Sequence, residues 1–235
     1  MFHKVYSLFY LISNTKMTEQ ATFDAVIFDA DGTLVDSEGI GLGLLSEHAA
    51  ALGVGLSAQE ISALRGESMA GCLAYLARRL GRALPGDFEA RLRQAMAAAF
   101  AERLRPMPGA LEVLSSLRVP FCVATNGPRS KVALTLEVTG LLPLLDGRIF
   151  CAPEVGSFKP QPELFLAAAQ ALGVAPPRCA VVEDSVPGML AGLRAGMQVF
   201  AVAPVHALPV ECPGSVRVLD RLQALLGLQG GPGPA

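Results

Sequence analysis

Four short segments carry side chains whose types and spacing suit phosphoryl chemistry. The first is Asp29-Ala30-Asp31-Gly32-Thr33, at the end of an apolar run. Two carboxylates this close repel one another unless a cation or a proton relieves them, and Gly32 permits a sharp turn and close backbone approach to a ligand. The second is Ala124-Thr125-Asn126-Gly127, a hydroxyl, an amide and a flexible backbone fitted to phosphate oxygens. Lys159 stands in Ser157-Phe158-Lys159-Pro160, and Glu183 and Asp184 form a second carboxylate pair in Val182-Glu183-Asp184-Ser185. Each segment also has an ordinary reading. Asp-Gly and Asn-Gly are turn dipeptides, a loop lysine is usually solvated, and Asp184 or Ser185 could cap a helix. Together, however, they offer a closed chemistry. Hard oxygen ligands suit Mg²⁺, which would bridge the carboxylates and a phosphate and keep one aspartate ionised as a nucleophile. Lys159, Thr125 and backbone amides would then stabilise charge on the transferring group.

The elements that must position these groups alternate along the chain. Apolar runs at 25–29, 120–125, 148–151, 179–184, 198–203 and 216–219 read as strands. Most are near-continuous rather than alternating, which suits a parallel sheet covered on both faces. Helical patterns fall between them, near 108–117, 130–139, 162–172 and 186–195, the last two ending at Gly173 and Gly196. This rhythm predicts an α/β fold with a doubly wound, Rossmann-like parallel sheet. In such a sheet ligands bind beyond the carboxyl ends of the strands, where all four segments lie. One stretch breaks the rhythm: from Glu38 to Arg103 only helical periodicity occurs, clearest in Phe88, Leu92, Met96, Phe100 and Leu104 at steps of four. The expected organisation is an extension over 1–21, a core of 22–37 and 104–228, an inserted all-helical unit over 38–103, and a disordered Gly/Pro tail over 229–235.

Composition limits the partners. The chain has 235 residues, 51% hydrophobic and 17% charged, with a net charge of −2. A sizeable core can form, and no basic field exists to attract nucleic acid or an anionic membrane. Five cysteines (Cys72, Cys122, Cys151, Cys179, Cys212) are scattered without CxxC spacing and read as reduced core residues. The apolar run at 5–12 is too short to span a bilayer and precedes a conventional start at Met17. The expected form is a cytoplasmic monomer or weak homodimer acting on a small phosphorylated molecule.

The motifs DADGTLVDSE (29–38), ATNGP (124–128), SFKP (157–160) and VEDSVPGMLAGLRAGM (182–197) resemble, in order and spacing, the haloacid dehalogenase superfamily. The resemblance is to its phosphatase branch with a small helical cap inserted after the first strand. It implies Asp29 as nucleophile, Asp31 as general acid and then base, and Thr125, Asn126, Gly32 and Lys159 around the phosphate. It further implies Mg²⁺ held by the Asp29 carboxylate, the Asp31 carbonyl and Asp184, with Glu183 direct or behind them. Dehalogenating members usually lack an acid two residues after the nucleophile, so Asp31 argues against dehalogenation. The loop Leu64-Arg65-Gly66-Glu67-Ser68 is similar to the cap loop that meets the substrate, which makes Arg65 a specificity candidate. Two branches compete. One comprises bacterial phosphatases of 6-phosphogluconate and related sugar phosphates, the nearer in pattern. The other is β-phosphoglucomutase, whose cap histidine and arginine fall by spacing at Gly41 and Met69 here. A family member that had become a binding module would be expected to have lost an acid or the lysine, and none is lost.

Overall fold

In a computed structural model of the chain, residues 23–65, 67–202 and 214–229 are described. The extension over 1–21, Cys212 and residues 230–235 of the tail lie outside them. Six strands, β1 (Ala25–Phe28), β2 (Phe121–Thr125), β3 (Ile149–Cys151), β4 (Cys179–Glu183), β5 (Gln198–Val202) and β6 (Val216–Leu219), pair in parallel in the order β3-β2-β1-β4-β5-β6. Every residue of β1, β2 and β4 is buried, as continuous apolar runs require when both faces are covered.

The alternation of side chains across the strands divides the core in two. Val26, Phe28, Val123, Val182 and Phe200 face one layer. It is completed by α5 (Ala110–Ser116), α6 (Arg129–Val138) and α7 (Leu142–Leu145). Ala25, Ile27, Cys122, Val181 and Val199 face the other, closed by α9 (Glu163–Leu172) and α10 (Val186–Arg194). The short α8 (Ala152–Val155) follows β3 directly. Cys72, Cys122, Cys151 and Cys179 are all free and buried. Gln229, assigned above to the tail, instead bridges to Phe23 and accepts from the Arg118 amide at 2.9 Å.

Between β1 and β2 the chain forms four helices, α1 (Ser37–Ala51), α2 (Ala58–Ala63), α3 (Met69–Leu80) and α4 (Phe88–Arg103). They enclose a hydrophobic cluster of their own built on Leu45, Leu76, Phe88 and Leu92. The four-residue stripe of α4 serves two clusters. Phe88 and Leu92 face this one, Phe100 and Leu104 the sheet, and Met96 touches both. A capping box between Ser57 and Glu60 starts α2. Glu60 Oε1 also accepts from Tyr75 at 2.6 Å and Arg79 at 2.7 Å, which ties α2 to α3. The two connections to the sheet run side by side: Val35 bridges Pro106, the Asp36 amide donates to the Arg105 carbonyl, and the Met107 amide to Leu34.

Candidate active site

The chain fills β1, β2 and β3 outward and then returns to lay down β4 on the other side of β1. That reversal opens a crevice at the carboxyl ends of β1, β2 and β4, and all four chemistry-bearing segments meet there. Lys159 is the centre. It is 6% exposed, and its ammonium donates to Asp29 Oδ1 at 2.5 Å, Glu183 Oε1 at 2.7 Å and the Ala124 carbonyl at 2.8 Å. Three hydrogens meet three acceptors from the ends of three strands, while the ring of Phe165 lies 4.9 Å away. Burial disfavours the ammonium, yet Asp29 and Glu183 outweigh it and raise its pKa above that of ordinary lysine.

Glu183 is fully buried and both its oxygens are occupied. Oε1 holds Lys159, and Oε2 accepts from the amides of Asp184 and Ser185 and from the Ser185 hydroxyl. Ser185 in turn caps α10 through the Gly188 amide. Asn126 acts similarly on the lysine loop: its Oδ1 accepts from the Lys159 amide at 2.9 Å and its Nδ2 donates to the Lys159 carbonyl. Thr125, at the end of β2, accepts from the Gly127 amide at 3.0 Å, which leaves its hydroxyl hydrogen to donate.

Asp29, Glu183 and Asp184 each offer an oxygen within 4.8 Å of the others. Burial pushes the pKa of Asp29 up to about 7, against the pull of Lys159 and with the added repulsion of Glu183. Burial, then Glu183 and Asp29, pushes Asp184 up to about 9. Crowded, desolvated oxygen donors of this kind are what a hard divalent cation relieves, so the donor set fits Mg²⁺. Gly32 also has a part that its spacing does not suggest. Its amide donates to the Val35 carbonyl within the turn, and at φ +87° a Cβ there would fall 2.0 Å from Asp184 Oδ2. Gly32 thus supplies clearance for Asp184.

The Asp31 carboxylate stands apart from that cluster. One oxygen accepts from Ser37 Oγ and the other from Lys131 Nζ at 2.8 Å. Burial opposes its ionisation, but Lys131, through charge and hydrogen bond, and then Ser37 outweigh it and hold its pKa below the usual carboxylate range. Neither partner belongs to the strand-end segments read from sequence. Arg65 pairs with Glu38, in the first turn of α1, at 2.8 Å. Gly41 lies one turn further along α1, its missing Cβ 3.5 Å from Met96 Cε, and Met69 packs against the helical cluster.

A family profile for haloacid dehalogenase-like hydrolases matches residues 23–196, which contain every group described above. The chain belongs to the haloacid dehalogenase-like hydrolases. It is 32% identical to 6-phosphogluconate phosphatase of Escherichia coli (strain K12) over 193 residues, covering 81% of this chain and 87% of the relative. It is 34% identical to hexitol phosphatase A of the same organism, covering 75% and 81%. Among solved structures, a Deinococcus radiodurans family hydrolase with bound phosphate and sodium shares 37% identity at a TM-score of 0.72, covering 92% of this hydrolase and all (100%) of that chain. A Thermotoga maritima protein provisionally described as a β-phosphoglucomutase shares 26% at a TM-score of 0.70, covering 87% and 97%. No helix among the described residues is long and apolar enough to cross a membrane.

Proposed function

We propose that this hydrolase is a Mg²⁺-dependent phosphatase of small phosphorylated sugars or sugar acids, working through a phosphoryl group carried on Asp29. The observation that carries the reading is the buried Lys159 bound at once to Asp29 and Glu183. A fixed cation beside one carboxylate, at the mouth of a parallel sheet, suits an attack on a phosphate dianion. The phosphatase names of the relatives support it.

Asp29 attacks phosphorus with one carboxylate oxygen as the bond to the leaving oxygen breaks. The negative charge of the entering phosphate raises the pKa of Asp31 from its low resting position, and Asp31, so protonated, gives the leaving oxygen its proton. Asp31, now ionised, takes a proton from water, which attacks phosphorus in turn. The bond to Asp29 breaks and inorganic phosphate leaves. Thr125 donates its hydroxyl to a phosphate oxygen, Lys159 balances charge, and Asn126 holds the lysine loop in place. Mg²⁺, held by the carboxylates of Asp29 and Asp184 and the Asp31 carbonyl with Glu183 behind them, would offset the charge that attacker and phosphate bring together. Residues 38–103 serve as a cap over a core of 22–37 and 104–228, excluding water and meeting the sugar portion through Arg65.

The test is a kcat/KM comparison across phosphorylated metabolites, including 6-phosphogluconate, hexitol phosphates and hexose phosphates. The expected result is Mg²⁺-dependent phosphate release, highest in this group. Absence of release from every phosphomonoester overturns the reading.

A further inference from the structure

Lys131 lies outside the four motifs that define the site, yet it reaches the centre of it. It sits in the first turn of α6, 100 residues from Asp31 in sequence, and donates to Asp31 Oδ2 at 2.8 Å. A Cβ built on Gly127 would lie 3.8 Å from both Asp31 Oδ2 and the Lys131 Cδ, and 3.4 Å from Thr125 Oγ1. The lysine stem therefore passes over the Thr125–Gly127 turn to meet the carboxylate. Both side chains are about a third exposed, at 32% and 31%, and an ion pair so placed contributes little to stability. Its effect falls on the orientation of the carboxylate.

Asp31 stands on a turn, and its carboxylate can swing about the Cβ–Cγ bond unless both oxygens are held. Ser37, from α1, holds Oδ1. Lys131, from α6, holds Oδ2. The two grips differ in chemistry. An ammonium only donates, whereas a hydroxyl can donate to an ionised carboxylate or accept from a protonated one. With Lys131 on Oδ2, the transferable proton is confined to Oδ1.

We propose that Lys131 is a positioning residue that fixes the plane of Asp31 and the oxygen from which its proton reaches the leaving group. This rests on Asp31 acting as the acid of a phosphatase. Without the ammonium, Ser37 alone restrains the group, and a misplacement of about an ångström can cost up to about 10²-fold in rate.

The experiment compares Lys131→Met with wild type on two substrates of different acid demand, using kcat/KM, which reports cleavage of the substrate's P–O bond. Sorbitol 6-phosphate expels an alkoxide that needs a proton, whereas 4-nitrophenyl phosphate expels a stable phenolate that does not. The expected result is a loss of about tenfold or more on the sugar phosphate and less than about threefold on the aryl phosphate, with Lys131→Arg recovering most of it. Equal losses on both substrates would mean that Lys131 touches the phosphate or merely supports the fold, and overturn the proposal. No loss on either overturns it as well. Absence of release by the wild type from every phosphomonoester overturns the phosphatase reading itself, a result separable from the other two.

Discussion

Gly188 lies against Glu183 so closely that a Cβ on the glycine would fall 1.7 Å from Glu183 Oε1. That oxygen also accepts from Lys159, which in turn holds Asp29. A methyl group on α10 is thus transmitted to the nucleophile through two contacts. In an ordinary helix Ala is better than Gly by about 1 kcal/mol, so a loss at this position reports the displaced carboxylate. Gly188→Ala is expected to lower kcat by about tenfold or more through misplacement of Asp29. Steady-state kinetics check it, and wild-type kcat would show that Glu183 can move without consequence.

Replacing Asp29 by Asn keeps the shape of the side chain and removes the nucleophile. The phosphatase activity is expected to fall below about one per cent of wild type, since loss of a covalent nucleophile typically costs several orders of magnitude. Circular dichroism should show the fold unchanged. Activity above that level counts against covalent transfer to Asp29.

If Asp29 and Asp184 hold Mg²⁺ as proposed, they link its binding to pH. With pKa values pushed up to about 7 and about 9, both hold protons in the fold that an unfolded aspartate releases near pH 4. The folded protein therefore binds more protons across about pH 4 to 9, and stability without metal falls as pH rises through that window. The lowered pKa of Asp31 acts in the opposite sense, but only around and below the ordinary carboxylate range. Mg²⁺ competes with the protons on Asp29 and Asp184, so its stabilisation should grow with pH. Melting temperatures with and without Mg²⁺ should differ more at about pH 8 than at about pH 6. An equal shift at both would exclude this linkage.

Chelation with EDTA should abolish turnover, and Mg²⁺ should restore it. Ca²⁺ is expected to inhibit, because its looser and higher-coordinate shell accepts both oxygens of a carboxylate and would engage the attacking atom of Asp29. Phosphate release at full rate in a metal-free preparation would exclude the proposed chemistry.

Hydrolysis should prevail over internal transfer. A mutase must keep water from its phosphorylated aspartate until the intermediate turns over, and the spacing expected for its cap histidine and arginine falls here on Gly41 and Met69. Met69 packs against the helical cluster and Gly41 presents no side chain. Incubation with β-glucose 1-phosphate and a bisphosphate primer is expected to release inorganic phosphate. Rapid conversion to glucose 6-phosphate with little free phosphate would favour the mutase.

The strands were legible because both faces of the sheet are covered, so β1, β2 and β4 had to be unbroken apolar runs. The helical unit was legible through the four-residue stripe of α4, although sequence could not reveal that Phe88 and Phe100 serve different clusters. The two four-residue helices α7 and α8 escaped notice, being too short to display a period. At the site, the sequence singled out Asp29, Glu183 and Asp184, which stand at strand ends, and Lys159, which the loop after α8 carries to them. It did not reveal Lys131, whose link to Asp31 joins positions 100 residues apart and leaves no local pattern. Nor could spacing show that Gly32 gives way to the side chain of Asp184, 152 residues further along the chain.

The paired connections at Val35–Pro106, Asp36–Arg105 and Leu34–Met107 have a genetic consequence. Because departure and return lie edge to edge like the two arms of an open hairpin, the chain between them can change in length while the arms stay in place, provided that the contact of Phe100 with the sheet's core is kept. Insertions or deletions between the arms can then be accommodated at this locus while the sheet keeps its register.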